Sequence, residues 1–275
     1  MAPERKVVLC SIALIGVTLP ISYYFYKKWK RNKLYKYIES IQTYKSPNSQ
    51  TFQVVDENAI KDILDLADEF KILAIDAEWV QKGINKIALL QISFPNGKCF
   101  LINHRQKLPD KFLAMLENGS ILKIGIGILD EDIKRFKSQW NIQPKGLVEL
   151  KYLTKMFYPD IQKLGAKNLA MKFLNVTLDK HWKISASDWE AEEFTPRQIK
   201  YAANDVLTAM AIVLKIVAEQ SGVDDLEELL RVTYDLCLQH KDIPFKGMYR
   251  FWLPHCKQFL VIKIKNVWYI LLTQN

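Results

Sequence analysis

The chain has 275 residues, of which 49% are hydrophobic and 25% are charged, and its formal net charge is +9. This composition is that of an ordinary globular protein with enough apolar residues for a core, and it argues against a disordered chain. The four cysteines are far apart and form no C-x-x-C pair, which excludes a zinc knuckle or a disulfide framework and favours a reducing compartment.

Positive charge is concentrated at the N-terminus. Residues 1–33 contain seven basic residues and one acidic residue, a net charge of +6 that leaves only +3 for the rest of the chain. The bulk of the chain is therefore only mildly basic, and charge alone is weak evidence for binding to nucleic acid.

An uncharged run from Val7 to Tyr26 lies inside this basic region. Its length matches the roughly 20 residues that a helix needs to cross a bilayer, and Tyr23–Tyr26 is an aromatic run of the kind found at the interface. We therefore expect residues 1–33 to be a membrane anchor, a transmembrane helix with a basic flank. The heavier positive charge after the run predicts that the following domain stays in the cytosol. A short, modestly hydrophobic anchor with a basic flank suits the mitochondrial outer membrane, and the endoplasmic reticulum is the alternative.

Two other readings of this run are open. A cleaved secretory signal would need a small-residue cleavage site, which does not follow the run. A buried core helix is the second alternative, because apolar runs of moderate length are common in protein cores.

Residues 34–50 are predicted to be a linker, with a short helix at 34–44 and turn-forming residues at 46–50. The globular domain is expected at 51–220 and opens with a strand at 51–55 and a helix capped by Asp56.

Apolar runs and turn residues predict the elements that follow. Strands in a meander, followed by alternating helices and strands, indicate an α/β fold with a mixed β-sheet flanked by helices. A later helix should begin with Thr195 as its N-cap and Pro196 as its first residue. The predicted elements are strands at Lys71–Val80, Ile87–Phe94 and Lys98–Asn103, with Pro95–Gly97 as a hairpin turn, then a helix at Asp110–Glu117 and a strand at Ile121–Gly127.

Four acidic residues and one tyrosine are the candidate functional residues. Asp76 and Glu78 are two apart in a predicted strand, so their side chains point to the same face. Asp132 lies in the first turn of the helix after strand 121–127, where the helix dipole favours a carboxylate. Tyr201 and Asp205 are four apart and therefore share one face of their helix.

This set of residues predicts a phosphoryl-transfer site. Carboxylates are costly beside buried apolar strands unless something compensates their charge, and divalent cations are the usual partner. We expect two cations, Mg²⁺ or Mn²⁺, held by the carboxylates of Asp76, Glu78, Asp132 and Asp205. They would activate water and stabilise the charge on phosphorus and the leaving oxygen, while Tyr201 would hydrogen-bond the attacking water.

The motifs Asp76-Ala-Glu78, Asp132 and Tyr201-x-x-x-Asp205, together with the segments at 88–92, 164–169 and 187–190, resemble the DEDD 3′-to-5′ exonucleases of the RNase H-like superfamily, in the DEDDy branch. The resemblance covers roughly residues 51–219. It implies an RNase H-like fold and a metal-dependent exonuclease that hydrolyses phosphodiester bonds at the 3′ ends of single-stranded RNA or DNA and releases 5′-mononucleotides. It also implies catalytic roles for Asp76, Glu78, Asp132, Tyr201 and Asp205.

The chain departs from the family pattern in two places. One extra residue between Gly127 and Asp132 lets Asp130 or Glu131 compete for the role of the second motif, and we choose Asp132 because the helix that follows is then in register with the family. Residues 221–275 are expected to be a C-terminal extension, shorter than in the family, that ends in a hydrophobic hairpin at 259–272.

Residues that bind the substrate are harder to identify from the sequence. Trp79 follows the metal-binding strand and could stack on a terminal base, although a large aromatic residue at such a position is more often core. Gln91 is a second candidate contact, and Trp189 is expected to be a packing residue.

Two functional classes besides the exonuclease remain open. One is a catalytically idle module that binds nucleic acid or a protein while tethered to a membrane. The other is an endonuclease or a nuclease for short fragments, which would share the chemistry. The exposed edge of the C-terminal hairpin makes a homodimer a further candidate assembly.

Overall fold

The computed structural model describes residues 4–54, 56–79, 86–103, 105–129, 132–243, 258–264 and 267–273, and the surroundings of side chains between residues 22 and 243. Its strands are β1 (Gln50–Val54), β2 (Ile72–Trp79), β3 (Ile87–Ser93), β4 (Lys98–Asn103), β5 (Leu122–Gly125), β6 (Leu147–Glu149), β7 (Gln258–Ile264) and β8 (Val267–Thr273). Its helices are α1 (Glu4–Ile41), α2 (Glu57–Phe70), α3 (Asp110–Glu117), α4 (Asp132–Trp140), α5 (Leu150–Phe157), α6 (Ala166–Leu174), α7 (Trp182–Ser185), α8 (Pro196–Ser221) and α9 (Leu226–Gln239).

A mixed six-stranded sheet in the order β1-β4-β3-β2-β5-β6 forms the centre of the domain. The meander β2-β3-β4 is antiparallel, whereas β5 and β6 run parallel to β2 and β1 runs parallel to β4. The predicted strands, the Pro95–Gly97 turn and the helix at Asp110–Glu117 are confirmed to within a few residues at each end. At the turn, Gly97 has φ +85°, and a Cβ there would lie 2.7 Å from the carbonyl oxygen of Asn48, so a side chain would not fit.

The sheet separates two hydrophobic cores. One core lies against α8 and includes residues of α5, α6 and α9, and the other contains the apolar faces of α2, α3 and α4. Asp56 caps α2 by accepting a hydrogen bond from the amide of Ala59, as predicted. Both faces of the sheet are therefore covered, which explains why β3 is buried along its whole length.

Helix α8 is the central element of the first core. Its 26 residues pack across β2, β3 and β4, and the hydroxyl of Ser93 donates to the carbonyl of Val206 at 2.9 Å. In the described part of the chain, α8 is also the helix that is long and apolar enough to span a membrane, with 94% of the relevant window buried. Such burial is typical of a core helix of a globular domain.

This result does not support the predicted N-terminal span, although the side chains of residues 7–21 lie outside the described residues. Helix α1 does not end at the predicted boundary between anchor and linker but continues to Ile41. Leu34, Ile38 and Ile41 are buried in the first core, and Lys215 of α8 lies 3.5 Å from the ring centroid of Tyr35. The first part of the predicted linker is therefore packed against the domain.

The C-terminal region contains two kinds of structure. Helix α9 packs on α8 through Leu229, Val232 and Leu236. The predicted hydrophobic hairpin is confirmed as the antiparallel pair β7-β8, a separate two-stranded sheet. Pairing of the hairpin edge with a second copy of the chain stays a prediction. Sedimentation velocity would test it by showing whether the particle has the mass of a monomer or of a dimer.

Candidate active site

Two carboxylates stand together on the central strand β2. Asp76 and Glu78 alternate with the buried Ile75 and Ala77, so the pleat of the strand directs both acidic side chains to the same face. The register with β3 shifts at Glu78 and Trp79. The predicted alternation, with both acids on one face and Ile75 and Ala77 on the other, agrees with the burial along the strand.

Helix α8 supplies Tyr201 and Asp205. Thr195 and Gln198 form a capping box, and Pro196 is the first residue of the helix, as predicted. This N-terminus fixes the start of α8, and the packing of α8 on the sheet brings Asp205 toward β2. Asp205 is buried, whereas Tyr201, one turn earlier, is half-buried.

Asp76, Glu78 and Asp205 converge. Each offers a carboxylate oxygen, and the three oxygen atoms lie within 4.8 Å of one another. Hard divalent cations such as Mg²⁺ and Mn²⁺ prefer clusters of carboxylate oxygens at this spacing. Three of the four predicted ligands are thus brought together from two elements that are far apart in the sequence.

The electrostatics of this acidic cluster favour a bound cation. Burial and the charges of Asp205 and Asp132 raise the pKa of Asp76 well above its ordinary value. Burial and the charges of Asp76 and Asp205 raise the pKa of Glu78 to about 9. Burial likewise raises the pKa of Asp205, although Lys180 opposes the shift. The carboxylates repel one another when ionised, and a divalent cation would remove that cost, so the residues fit the predicted cofactor.

Asp132 begins helix α4 and is buried, as predicted. Its charge contributes to the raised pKa values of Asp76 and Glu78, which places it within electrostatic reach of them. Among the described residues, the tight group of three oxygens does not include it. Asp130 and Glu131, the alternatives for this motif, lie outside the described residues, and the choice of Asp132 as a ligand stays a prediction.

Lys180 is a site residue that the sequence reasoning missed. Its ammonium group forms an ion pair with Asp205 and lies 4.1 Å from the ring centroid of Tyr201. Burial lowers the pKa of Lys180, but the charges of Asp205 and Asp76 outweigh that effect and hold its pKa above the ordinary value. The lysine therefore stays charged and partly neutralises the acidic cluster.

A signal for this residue was present in the sequence. Lys180 and Lys183 flank His181 and Trp182, and basic residues interleaved with aromatic ones are typical of nucleic-acid contacts. Lys180 is far from the acidic motifs in the sequence, so its contact with Asp205 was not predicted.

The phenol of Tyr201 is kept in its neutral form. Burial raises its pKa to about 12, with Lys180 opposing the shift and Asp205 adding to it. The ring also packs against the buried Trp189, with centroids 6.0 Å apart. Trp189 is fully buried, which confirms that it is a packing residue. A protonated, fixed phenol can hydrogen-bond a water molecule but does not act as a base near neutral pH.

The two predicted substrate contacts, Trp79 and Gln91, lie close to the acids but are not open to a ligand on all sides. The guanidinium of Arg135 lies 3.6 Å from the ring centroid of Trp79 and covers one face, and Trp79 also packs against the second core. Gln91 lies opposite Asp76 on β3. It is fully buried, and its amide oxygen and nitrogen have no hydrogen-bond partner among the described residues. Its position suits contact with the metal ligands rather than with an approaching strand.

Sequence comparison identifies relatives of this chain. A profile of the 3′-5′ exonuclease family matches residues 52–220. Exonuclease 3′-5′ domain-containing protein 2 of Drosophila melanogaster is 32% identical over 183 residues, which are 65% of this chain and 30% of that protein. The Homo sapiens protein of the same name is 31% identical over 201 residues, 66% of this chain and 32% of that protein. The chain spans about a third of the length of these curated relatives.

The sequence itself predicts which relatives within the family the chain resembles. The pattern Asp-x-Glu-Trp-Val at 76–80, the predicted strand at 123–127, the segment at 242–248 and the predicted N-terminal anchor predict a likeness to exonuclease 3′-5′ domain-containing protein 2. The comparisons confirm that likeness.

Solved structures show the same fold. Escherichia coli RNase D, an exoribonuclease involved in structured RNA processing, superposes with a TM-score of 0.55 at 24% identity and covers 69% of this chain and 51% of its own. The EXO domain of Aedes aegypti Nibbler gives a TM-score of 0.55 at 18% identity and covers 67% of this chain and 95% of its own. These likenesses confirm the predicted mixed α/β sheet flanked by helices.

Proposed function

The chain belongs to the 3′-5′ exonuclease family through residues 52–220, and from that membership we propose that it is a divalent-metal-dependent exonuclease. The convergence of carboxylate oxygens from Asp76, Glu78 and Asp205 within 4.8 Å is the observation that carries the proposal. Such a cluster supplies the ligands that phosphodiester hydrolysis by metal ions requires.

Each residue of the site has a proposed role. Asp76, Glu78 and Asp205, with Asp132, hold the two divalent cations, Mg²⁺ or Mn²⁺. When bound, these cations supply a nucleophilic water at neutral pH and stabilise the charge that develops on the phosphate. Tyr201 orients the water through its neutral phenol, because its pKa of about 12 keeps the proton on the oxygen.

The proposed substrate is the 3′ end of single-stranded RNA or DNA, and the proposed products are 5′-mononucleotides. Family membership supports the direction of cleavage. The half-buried position of Tyr201 and the burial of Asp205 support a substrate that can bend into the site, as a single strand does more easily than a duplex.

The first prediction concerns activity of the full chain on matched 5′-labelled single strands of RNA and DNA. With Mn²⁺ or Mg²⁺ we expect a ladder of products that shorten from the 3′ end, and no products with EDTA. Thin-layer chromatography of strands labelled at the 3′-terminal nucleotide should show a 5′-mononucleotide. The relative rates on the two strands identify the preferred nucleic acid.

A circular single strand of the same sequence is the control. An exonuclease leaves the circle intact, whereas cleavage of the circle would assign the chain to the endonucleases. A chain that is inert on every strand but still binds them would instead be the catalytically idle module.

Membrane tethering is a second part of the proposal, with the domain in the cytosol at the mitochondrial outer membrane or the endoplasmic reticulum. The uncharged run at 7–26 and the basic residues after it support this placement. Tyr23, Tyr24 and Phe25 are about 60% exposed, as expected for side chains that would contact lipid headgroups rather than the domain.

The second prediction tests the tether with a charge placed inside the run. Wild type should resist extraction by alkaline carbonate, whereas Ile12→Lys combined with Ile15→Lys should be released, since each lysine costs about 3 kcal/mol in the centre of a bilayer. Glu39→Lys adds the same charge on the exposed surface of α1 and should remain in the membrane. Release of the wild-type chain by carbonate would rule out a transmembrane anchor.

A further inference from the structure

One tryptophan close to Lys180 in the sequence is unusually exposed. Trp182 is 67% exposed, more than any other large apolar side chain whose surroundings are described. It begins the short helix α7, two residues after Lys180. Single exposed apolar side chains are common on protein surfaces, so the surroundings of the ring carry the argument.

A surface cavity of about 650 Å³ adjoins this ring. It is lined by Lys167, Thr177, Leu178, Asp179, Lys180, His181 and Trp182. Lys180 connects the cavity to the acidic cluster, because its ammonium group is paired with Asp205. One residue of the cavity lining, Lys180, is therefore shared with the acidic cluster.

Charged groups around the ring are mainly positive. Lys167 and Lys183 are exposed, and the Lys183 ammonium lies 5.9 Å from the ring centroid of Trp182. The one acid in the cavity lining, Asp179, is already bound by Arg197 through two hydrogen bonds of 2.8 and 3.1 Å. The surroundings of Trp182 thus attract a phosphate backbone more than an acidic or purely apolar partner.

A second aromatic ring lies beside Trp182. His181 stacks on Trp182 with centroids 6.2 Å apart and an angle of 23° between the planes. One aromatic platform with lysines at its rim matches the general pattern of single-strand binding, in which bases stack on aromatic rings and cations contact the phosphates.

On the premise of the proposed function, we propose that Trp182 stacks on a base of the single-stranded substrate whose 3′ end lies at the acidic cluster. Lys167 and Lys183 contact the phosphates of the same strand. The surface recognises any base, because stacking uses the face of the ring and not its hydrogen-bonding edge. It is a binding site for the substrate and takes no part in bond cleavage.

The test measures binding and turnover separately in the full chain. Binding of a fluorescent single-stranded oligonucleotide in EDTA gives a Kd without cleavage, and initial rates with Mn²⁺ give KM and kcat. Trp182→Ala should weaken binding and raise KM by roughly tenfold, the loss expected for one stacked base, with kcat nearly unchanged. Trp182→Phe should recover most of the affinity. Trp29→Ala, which removes another exposed tryptophan, should bind like wild type.

Lys183→Gln tests the phosphate contact. The salt dependence of log Kd should become shallower by about 0.7, the value for one phosphate contact on a single strand. Lys111→Gln, an exposed lysine on α3 against the other core, should leave the slope unchanged.

The outcomes distinguish the two proposals. If wild type binds the oligonucleotide without degrading it, and Trp182→Ala weakens that binding, the proposed function fails and the binding surface stands. If wild type degrades single strands while Trp182→Ala has the same Kd and KM, the binding surface is wrong. Loss of self-association by Trp182→Ala in sedimentation, without loss of oligonucleotide binding, would assign the ring to a second copy and overturn the proposal.

Discussion

Replacing Asp76 by asparagine is expected to abolish nuclease activity and, in the same protein, to stabilise the metal-free domain. Asp76 shares a cluster with Glu78 and Asp205, so on the proposed function its charge would help to hold cations and would repel its neighbours when none is bound. We expect kcat/KM to fall by roughly a thousandfold or more, because several kcal/mol of transition-state stabilisation depend on the bound cations. The free energy of unfolding in EDTA should rise by about 1–3 kcal/mol near pH 8.

The gain in stability follows from the shifted pKa values. The pKa of Asp76 lies well above its ordinary value, and that of Glu78 is about 9. A carboxyl whose pKa is higher in the folded chain than in the unfolded chain stabilises the fold below its unfolded pKa. That contribution is lost as the pH rises through the folded pKa. The site therefore lowers the stability of the metal-free protein progressively between about pH 4 and about pH 9.

Urea unfolding in EDTA at about pH 5.5 and about pH 8.5 tests this account. The free energy of unfolding of Asp76→Asn should exceed that of wild type by a small amount at the lower pH and by a large amount at the higher pH. Excess Mn²⁺ should stabilise wild type far more than the variant. Asp160→Asn removes an exposed carboxylate outside the cluster. It should change neither the pH dependence of stability nor the stabilisation by Mn²⁺. Full activity of Asp76→Asn would refute its role as a ligand, and destabilisation at both pH values would refute the repulsion between the carboxylates.

Local sequence signals were sufficient for much of the fold and for part of the site. The alternation of Asp76 and Glu78 with apolar neighbours depends only on the pleat of one strand. Thr195 and Pro196 define the start of α8 through backbone hydrogen bonds and a fixed φ angle, which are also local. The convergence of Asp205 on β2 was predicted only because the order of the motifs matched a known family.

Other features depend on contacts between distant segments. Strand β1 joins the far edge of the meander in parallel with β4, and no local pattern specifies that pairing. Lys180 reaches Asp205 from an irregular segment before α7, so neither hydrophobic period nor cap locates it. The continuity of α1 could have been predicted, because no glycine or proline interrupts residues 27–41.

Replacing Lys180 by methionine is expected to tighten the binding of Mn²⁺ and to destabilise the cation-free protein. The side chain of Lys180 is 24% exposed and that of its partner Asp205 is 4% exposed. Removing one partner of such a buried pair leaves the other charge uncompensated, at a cost of about 3 kcal/mol. The same change removes a positive charge that repels a cation at the cluster, which should lower the Kd for Mn²⁺ by about tenfold.

Calorimetric titration with Mn²⁺ and unfolding in EDTA measure the two effects, with the exposed Lys111→Met as the control variant. Adding Asp205→Asn to Lys180→Met should restore most of the lost stability, because no buried charge then lacks a partner. Saturating Mn²⁺ should also reduce the difference in free energy of unfolding between Lys180→Met and wild type. The reason is that the cation replaces the ammonium group as the partner of Asp205. If Lys180→Met instead binds Mn²⁺ more weakly than wild type, the lysine does not compete with the cation. In that case the contacts of Lys180 with Asp205 and Tyr201 hold the ligands in place for the cation.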